Sequence, residues 1–288
     1  NVFWRGLPGS EYCPRAIYGN RDLLASDSAL ELARRSAATL AHLPLSHRMF
    51  YARRAARALL AAAAFPLEPV APAPEAVPLG EKSLHGRVCM VTGAGRRSGI
   101  GYHIAAGLAA RGATVIIACR GSALGESTTE NRELEAAADE ARVCACSIRA
   151  TSGHHRVFVE YVDLSCPKSI RMLAERVARR HGRLDALVNN AATVSSERKE
   201  TADGTELQFA VNVLAPHRLI VEFLPLLRRG APDSRVINVA SAFAGRLDMD
   251  DLHFRRRKYN PTEAYMQSKQ ALRMLTWAWA RRLSGQGV

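Results

Sequence analysis

RVCMVTGAGRRSGIG, residues 87–101, decides how the rest of the chain is read. Val88-Cys89-Met90-Val91 is an apolar run that ends at Thr92. A glycine-rich loop follows, with Gly93, Gly95, Gly99 and Gly101, and IAAGLAARGA then has the periodicity of a helix. Strand, glycine loop and helix in that order form the opening of a dinucleotide-binding βαβ unit. Glycines let backbone N–H groups approach a pyrophosphate with no Cβ between them, and the helix N-terminus faces that anion with its positive end. Glycine-rich loops also make ordinary turns, so the reading needs support from the remainder of the chain.

That support comes downstream. Apolar strand patterns fall at Val88–Thr92, Thr114–Cys119, Arg156–Val162, Leu184–Asn189 and Arg235–Val239. Helical patterns separate them: Gly99–Arg111, about Glu126–Arg142, Pro167–His181 with Ser165 as its cap, roughly Gly204–Arg229, and finally Thr262–Leu283. Apolar strands alternating with helices predict an α/β fold, a Rossmann-type doubly wound parallel sheet covered on both faces. Upstream, residues 1–64 read as a helical N-terminal extension and 65–85 as a proline-rich linker (FPLEPVAPAPEAVP and its flanks). The nucleotide-binding domain occupies 86–288.

The formal net charge is +13, yet only five of the 40 basic residues are lysines, and the arginines are spread along the chain. No basic motif is interleaved with aromatics and no nucleic-acid module is evident, so nucleic acid is not an expected partner. From Leu32 to Leu67 no acidic residue occurs, and these basic N-terminal helices are candidates for peripheral membrane contact or a transit-like role. A plain helical extension explains them as well. No apolar run reaches the ~20 residues that span a bilayer. The six cysteines are scattered without zinc-ligand spacing, which predicts free thiols, no structural metal and a reducing intracellular compartment, in the cytoplasm or at the periphery of an organelle membrane.

The sharpest chemical signal is Tyr265-Met266-Gln267-Ser268-Lys269. Positions i and i+4 share a helix face, and a neighbouring ammonium favours phenolate, which suits a tyrosine to acid/base work. Of seven tyrosines only Tyr265 has a lysine four residues on. Ser241 follows the fifth strand at a carboxyl end, where open α/β sheets bind ligands. Its hydroxyl could hold a carbonyl oxygen or simply close a turn. Asn189-Asn190-Ala191-Ala192 follows the fourth strand, where the asparagines could tie strand ends together or face a cofactor. Asn212 is polar inside an apolar helix and is expected to be buried in a role.

Taken together, TGAGRRSGIG at 92–101, Asp163-Leu164, NNAA at 189–192, Asn212, Ser241 and YMQSK at 265–269 resemble the short-chain dehydrogenase/reductase family in order and spacing. Within it, ETADGTELQFAVNVLAPH and LDMDDLHFRRRKYNPTEAYMQSK look like the branch of the retinol dehydrogenases and the X-linked dehydrogenase/reductase. The resemblance implies hydride transfer between a nicotinamide cofactor and a lipophilic alcohol, aldehyde or ketone, of retinoid, polyprenol or steroid type. It makes Tyr265 the acid/base and has Lys269 bind the nicotinamide ribose and activate Tyr265. It has Ser241 orient the substrate oxygen and Asn212 support a proton-relay water. The cofactor would be held by Gly93, Gly95, Arg96, Arg97, Ser98, Gly99, Ile100, Gly101, Arg120, Asp163, Leu164, Asn190 and Ala191, besides Tyr265 and Lys269. NADP is expected rather than NAD, because Cys119-Arg120 ends the second strand where an acid would hold a ribose 2′-OH, and Arg120 with Arg96 or Arg97 could meet a 2′-phosphate. A non-catalytic nucleotide-binding sensor or scaffold is the alternative reading.

Three departures from the family pattern stand out. Five residues separate Gly93 from Gly99, more than the pattern has, so either Gly95 takes the first glycine's part or the loop bulges. Ala192 stands where glycine is usual. The sequence ends at Val288, ahead of the two C-terminal strands that the resemblance implies. The expectation is that residues 1–288 alone are weakly stable, tend to self-associate (a homo-oligomer is one form) and turn over little.

Overall fold

The computed structural model describes residues 83–121 and 129–288, all within one compact unit, Pro78–Val288. The predicted N-terminal helices and the linker up to residue 82 lie outside the described residues. Five strands form one parallel sheet in the order β3-β2-β1-β4-β5. They are β1 Val88–Thr92, β2 Thr114–Cys119, β3 Val157–Tyr161, β4 Ala186–Asn189 and β5 Arg235–Asn238. The helices are α1 Ile100–Ala110, α2 Thr129–Ser152, α3 Pro167–His181, α4 Leu207–Gly230 and α5 Pro261–Leu283.

The order has a physical reason. The first strand is buried at every position, as a central strand of a doubly covered sheet must be. Two apolar clusters lie on its two sides. Met90, Ile116 and Leu187 face Leu173, Leu219 and Phe223 of α3 and α4. Val91, Val115 and Ile117 face Ala105 and Ala109 of α1 and Ile148 of α2. At the amino ends of the strands, the buried Asp185 carboxylate accepts the Val88 N–H at 2.8 Å and ion pairs with Arg87 at 2.8 Å and Arg183 at 2.6 Å. Burial works against its charge, but these three donors win and hold the carboxyl below its ordinary value. β5 pairs with β4 alone among the described strands, and Ile237 on it is 48% exposed.

Several boundaries differ from the sequence expectation. β3 and β4 are shorter: Arg156, Val162 and Asp185 bond neighbouring strands just outside the strand bounds, and the Leu184 N–H turns to Leu226 O of α4. α2 runs ten residues beyond the predicted Arg142, since no breaker stands between Arg142 and Gly153. Ser165 is not the cap of α3. Its hydroxyl turns back to Asp163 Oδ1 at 2.6 Å, and Cys166 occupies the cap position with no side-chain bond. Leu207–Gly230 is long and apolar enough to cross a membrane, although no such run was expected. Its apolar face is taken up by the core through Leu219, Ile220, Phe223, Leu226 and Leu227.

Candidate functional site

Parallel pairing brings the five carboxyl ends to one edge. Thr92 sits opposite Ala118, Cys119 opposite Tyr161, and Asn189 opposite Asn238. The residues that follow each strand therefore emerge side by side: Asp163, Arg120, Gly93, Asn190 and then Val239 with Ser241. This is the crevice where ligands of open α/β sheets bind.

The glycine loop crosses this edge close to its neighbours. Gly93 has φ +68°, and its N–H bonds Ala118 O at 2.8 Å. A Cβ there would stand 2.8 Å from Ala191 Cα, and one on Gly101 would stand 2.5 Å from Asn190 Nδ2. These two glycines are fixed by close approach, whereas Gly95 lies over Cys119, where a Cβ would meet its Cβ at 3.0 Å. The extra loop residues form a turn closed by Gly99 N–H on Arg96 O at 3.0 Å. Gly99 caps α1 with no side-chain bond and no acid in the first turn. Its leading N–H groups keep their full anion-binding character. Ile100, the first residue of α1, is 66% exposed, and Arg96, Arg97, Ser98 and Arg120 are exposed along the same edge. Arg96 lies 3.7 Å from Glu140. Asp163 is exposed and accepts from the Ser165 N–H at 2.8 Å, while Leu164 packs on the core.

The asparagines work as ties. Asn189 Nδ2 donates to Asn238 Oδ1 at 2.8 Å, joining β4 to β5. Asn190 Nδ2 donates to Thr92 O at 2.8 Å, and Thr92 Oγ1 accepts the N–H groups of Asn190 and Ala191 at 3.0 Å each. Asn212 lies in a π turn, Ala210–Leu214, and is buried. Its Oδ1 accepts the Thr193 N–H at 2.8 Å, and its Nδ2 reaches Thr193 O and Ser268 Oγ, both at 3.0 Å. A π turn shifts the helix register locally, a feature concentrated at functional sites. Here it lets one amide serve the loop after β4 and helix α5 together.

α5 starts at a true cap. Asn260 Oδ1 accepts from Thr262 and Glu263 N–H groups, with Pro261 at the first position. Tyr265 stands one turn in and Lys269 two, and the Lys269 ammonium lies 5.8 Å from the centre of the Tyr265 ring and donates to Val239 O at 2.8 Å. Burial pushes the Lys269 ammonium down to about 8. Val239 is two residues before Ser241, and Gly245 N–H bonds Met266 O at 3.2 Å, so the segment bearing Ser241 is fastened to the same turn of α5. Ser241 Oγ accepts the Phe243 N–H at 3.0 Å and keeps its own proton to donate. The structure thus gathers Asn212, Ser241, Tyr265 and Lys269 around the ends of β4 and β5, with the glycine loop, Asn190 and Ala191 beside them.

Residues not singled out by sequence complete the frame. Gln267, inside the YMQSK motif, accepts Asp248 N–H at 3.1 Å and Arg257 Nη2 at 2.9 Å and donates to Leu252 O at 2.8 Å. It thereby holds the long segment between Ser241 and Tyr265 against α5. Glu206 and Gln208, both buried, form a second cluster with the half-buried Tyr259. A lone glutamine or tyrosine in a polar stretch carries no periodic signal that would have marked it.

Comparison with known proteins agrees with this geometry. A family profile described as Enoyl-(Acyl carrier protein) reductase matches residues 93–288. The chain is 38% identical over 208 residues to human retinol dehydrogenase 13, covering 72% of this chain and 57% of that protein. It is 37% identical over 207 residues to human retinol dehydrogenase 11, covering 71% and 59%. Among solved structures, the Pseudomonas aeruginosa RhlG/NADP active-site complex aligns with a TM-score of 0.54 at 31% identity, over 71% of this chain and 70% of that one. A metagenomic short-chain oxidoreductase in complex with NADP aligns with a TM-score of 0.54 at 28% identity, over 71% and 80%. The chain spans 57% of the length of retinol dehydrogenase 13, so it corresponds to a little over half of such a relative. With its sheet order, its loop and its YMQSK helix in the matching places, the chain belongs to the short-chain dehydrogenase/reductase family, in the retinol dehydrogenase branch.

Proposed function

We propose that this protein transfers a hydride between NADP(H) and the alcohol or carbonyl carbon of a lipophilic substrate, with Tyr265 moving the proton. The observation that carries the reading is the Lys269 ammonium, anchored at 2.8 Å on the carbonyl of Val239, two residues before Ser241, and standing 5.8 Å from the centre of the Tyr265 ring. An idle fold has no physical reason to bury an ammonium there.

The residues present fit a nicotinamide dinucleotide. The uncapped N-terminus of α1 and the Cβ-free approaches at Gly93 and Gly101 suit a pyrophosphate. Arg120, with Arg96 or Arg97, suits a 2′-phosphate, and Asp163, Leu164, Asn190 and Ala191 line the neighbouring strand ends. The bound cofactor supplies the hydride chemistry. The chain's own groups do the rest. Ser241 donates a hydrogen bond to the substrate oxygen. Tyr265 gives or takes that oxygen's proton. Lys269 holds the ribose and favours the phenolate, and Asn212 keeps Thr193 and Ser268 in register beside them. The names of the relatives, retinol dehydrogenases 11 and 13, support a lipophilic substrate. A reducing intracellular compartment accords with the free thiols at Cys89, Cys119, Cys144, Cys146 and Cys166.

The test is titration of the intact protein with NADPH and NADH by nucleotide fluorescence, followed by turnover with long-chain aldehydes, retinal and steroid ketones. Tight NADPH binding with reduction of at least one class is expected. Binding without turnover across the panel would favour the scaffold reading instead.

A further inference from the structure

The cluster at the feet of α4 and α5 sets a half-buried Tyr259 against the buried Glu206 and Gln208 and is separate from the groups assigned to chemistry. Glu206 is 1% exposed and caps α4 by accepting the Gln208 N–H at 2.9 Å and the Phe209 N–H at 2.7 Å. Gln208 is fully buried, and its Nε2 donates to Tyr259 Oη at 2.7 Å and Pro261 O at 3.2 Å. Tyr259 Oη in turn donates to Glu206 Oε1 at 3.2 Å, with Ser195 O at 3.4 Å as its other acceptor. The Phe254 ring meets the Tyr259 ring edge-on at 5.3 Å. The hydroxyl is therefore the point where the loop after β4, the start of α4 and the approach to α5 converge.

The spacing gives this junction its meaning. Gln208 is four residues, one helical turn, before Asn212, and Pro261 is four residues before Tyr265. Further along, Asn212 Nδ2 to Ser268 Oγ at 3.0 Å is the next tie between the same two helices. Each helix also has its own cap, Glu206 for α4 and Asn260 for α5. Loss of the Tyr259 hydroxyl leaves both caps whole and removes the bonds that gather Gln208, Glu206 and Ser195 at one point, so that Gln208 on Pro261 O and Asn212 on Ser268 are left to tie the helices.

We propose that Tyr259 is a positioning residue: its hydroxyl, held between Gln208 and Glu206, sets the first turns of α4 and α5 against each other and so fixes where Asn212 and Tyr265 stand. The proposal rests on the reading of Tyr265 as the acid/base, which it deepens. Burial, followed by the neighbouring Glu206, pushes the phenol up to about 12, so it remains a neutral donor throughout the working range.

The experiment compares the intact wild-type protein with Tyr259→Phe, Gln208→Leu and the double variant, well below their melting temperatures. Small displacements of reacting groups cost about tenfold to a hundredfold in rate. Tyr259→Phe should therefore lose about tenfold in kcat, with KM and NADPH affinity within about twofold. The double variant should cost less than the two single losses combined, because each single variant already removes the Gln208–Tyr259 bond. Amide hydrogen exchange across residues 262–268 should speed up in Tyr259→Phe while residues 88–119 keep their protection. A variant with wild-type kcat, or with unchanged exchange at 262–268, overturns the proposal. If wild-type protein itself turns over no substrate, the reading of Tyr265 fails separately, and the exchange result still decides whether the hydroxyl holds the two helices.

Discussion

The Lys269 ammonium donates to Val239 O at 2.8 Å and lies 5.8 Å from the centre of the Tyr265 ring. The lysine is thus fixed by β5, not by the tyrosine, and stays in place when the phenol is altered. Tyr265→Phe should leave NADPH affinity within about twofold while lowering kcat by at least about a hundredfold, the scale on which general acid/base groups act. Lys269→Ala should impair both. Isothermal titration and initial rates on the two variants check this. Retained turnover in Tyr265→Phe would remove the tyrosine from the proton's path.

The buried ammonium also predicts a pH dependence of stability. Burial lowers Lys269 from its ordinary 10.5 to about 8. Below about 8 the lysine is protonated whether folded or unfolded, and the native state bears the whole cost of burying charge. Between about 8 and 10.5 the unfolded chain binds more protons than the native one, so stability rises with pH across that window. Lys269→Met should abolish this slope. Urea unfolding of both proteins without nucleotide at pH 7 and pH 10 is the measurement. The wild type should gain on the variant at the higher pH, and parallel behaviour would contradict the shift.

At the other end of the sheet, Asp185→Asn should destabilise by about 1.5 kcal/mol, since it weakens charge-assisted bonds to Arg87 and Arg183, which are themselves partly exposed. The carboxyl's lowered pKa gives the sign. Its contribution is present above the ordinary carboxylate range and fades as the pH falls through that range toward the lower folded value. Denaturant midpoints at pH 7 and pH 3 should therefore differ between wild type and variant much more at pH 7.

Cofactor choice is testable at a single side chain. Arg120 follows β2 on the binding edge and is exposed. Arg120→Ala should weaken NADPH binding about tenfold, the worth of one charge-assisted hydrogen bond, and leave NADH unchanged. Equal losses for the two nucleotides would show that Arg120 does not meet a 2′-phosphate.

Much of this was readable in the sequence, and for specific reasons. β1, the glycine loop and α1 announce themselves because an apolar run, clustered glycines and a helical period follow one another within 87–113. The nearness of Lys269 to Tyr265 was legible in their spacing of four on one helix, and the burial of Asn212 in an amide set inside an apolar helix. The α2 boundary was not, because nothing between Arg142 and Ser152 breaks a helix. Ser165 does not cap the helix because its hydroxyl turns back to donate to Asp163 Oδ1 at 2.6 Å and the cap position falls one residue later, at Cys166. The Glu206–Gln208–Tyr259 junction joins residues up to 53 positions apart, and such a meeting leaves no local trace.

The ties that shape the binding edge are mostly side-chain amides: Asn189 to Asn238, Asn190 to Thr92, Asn212 to Thr193 and Ser268, and Gln267 to Leu252. An amide keeps its donors and its acceptor whatever the acidity of the medium. Acid or base therefore leaves these amide ties in place, and among the ties described at this edge it reaches the Lys269 ammonium on Val239 O. The amides behave as a fixed mount, and a pH–rate profile would carry the titration of that one tether together with that of the groups it aims.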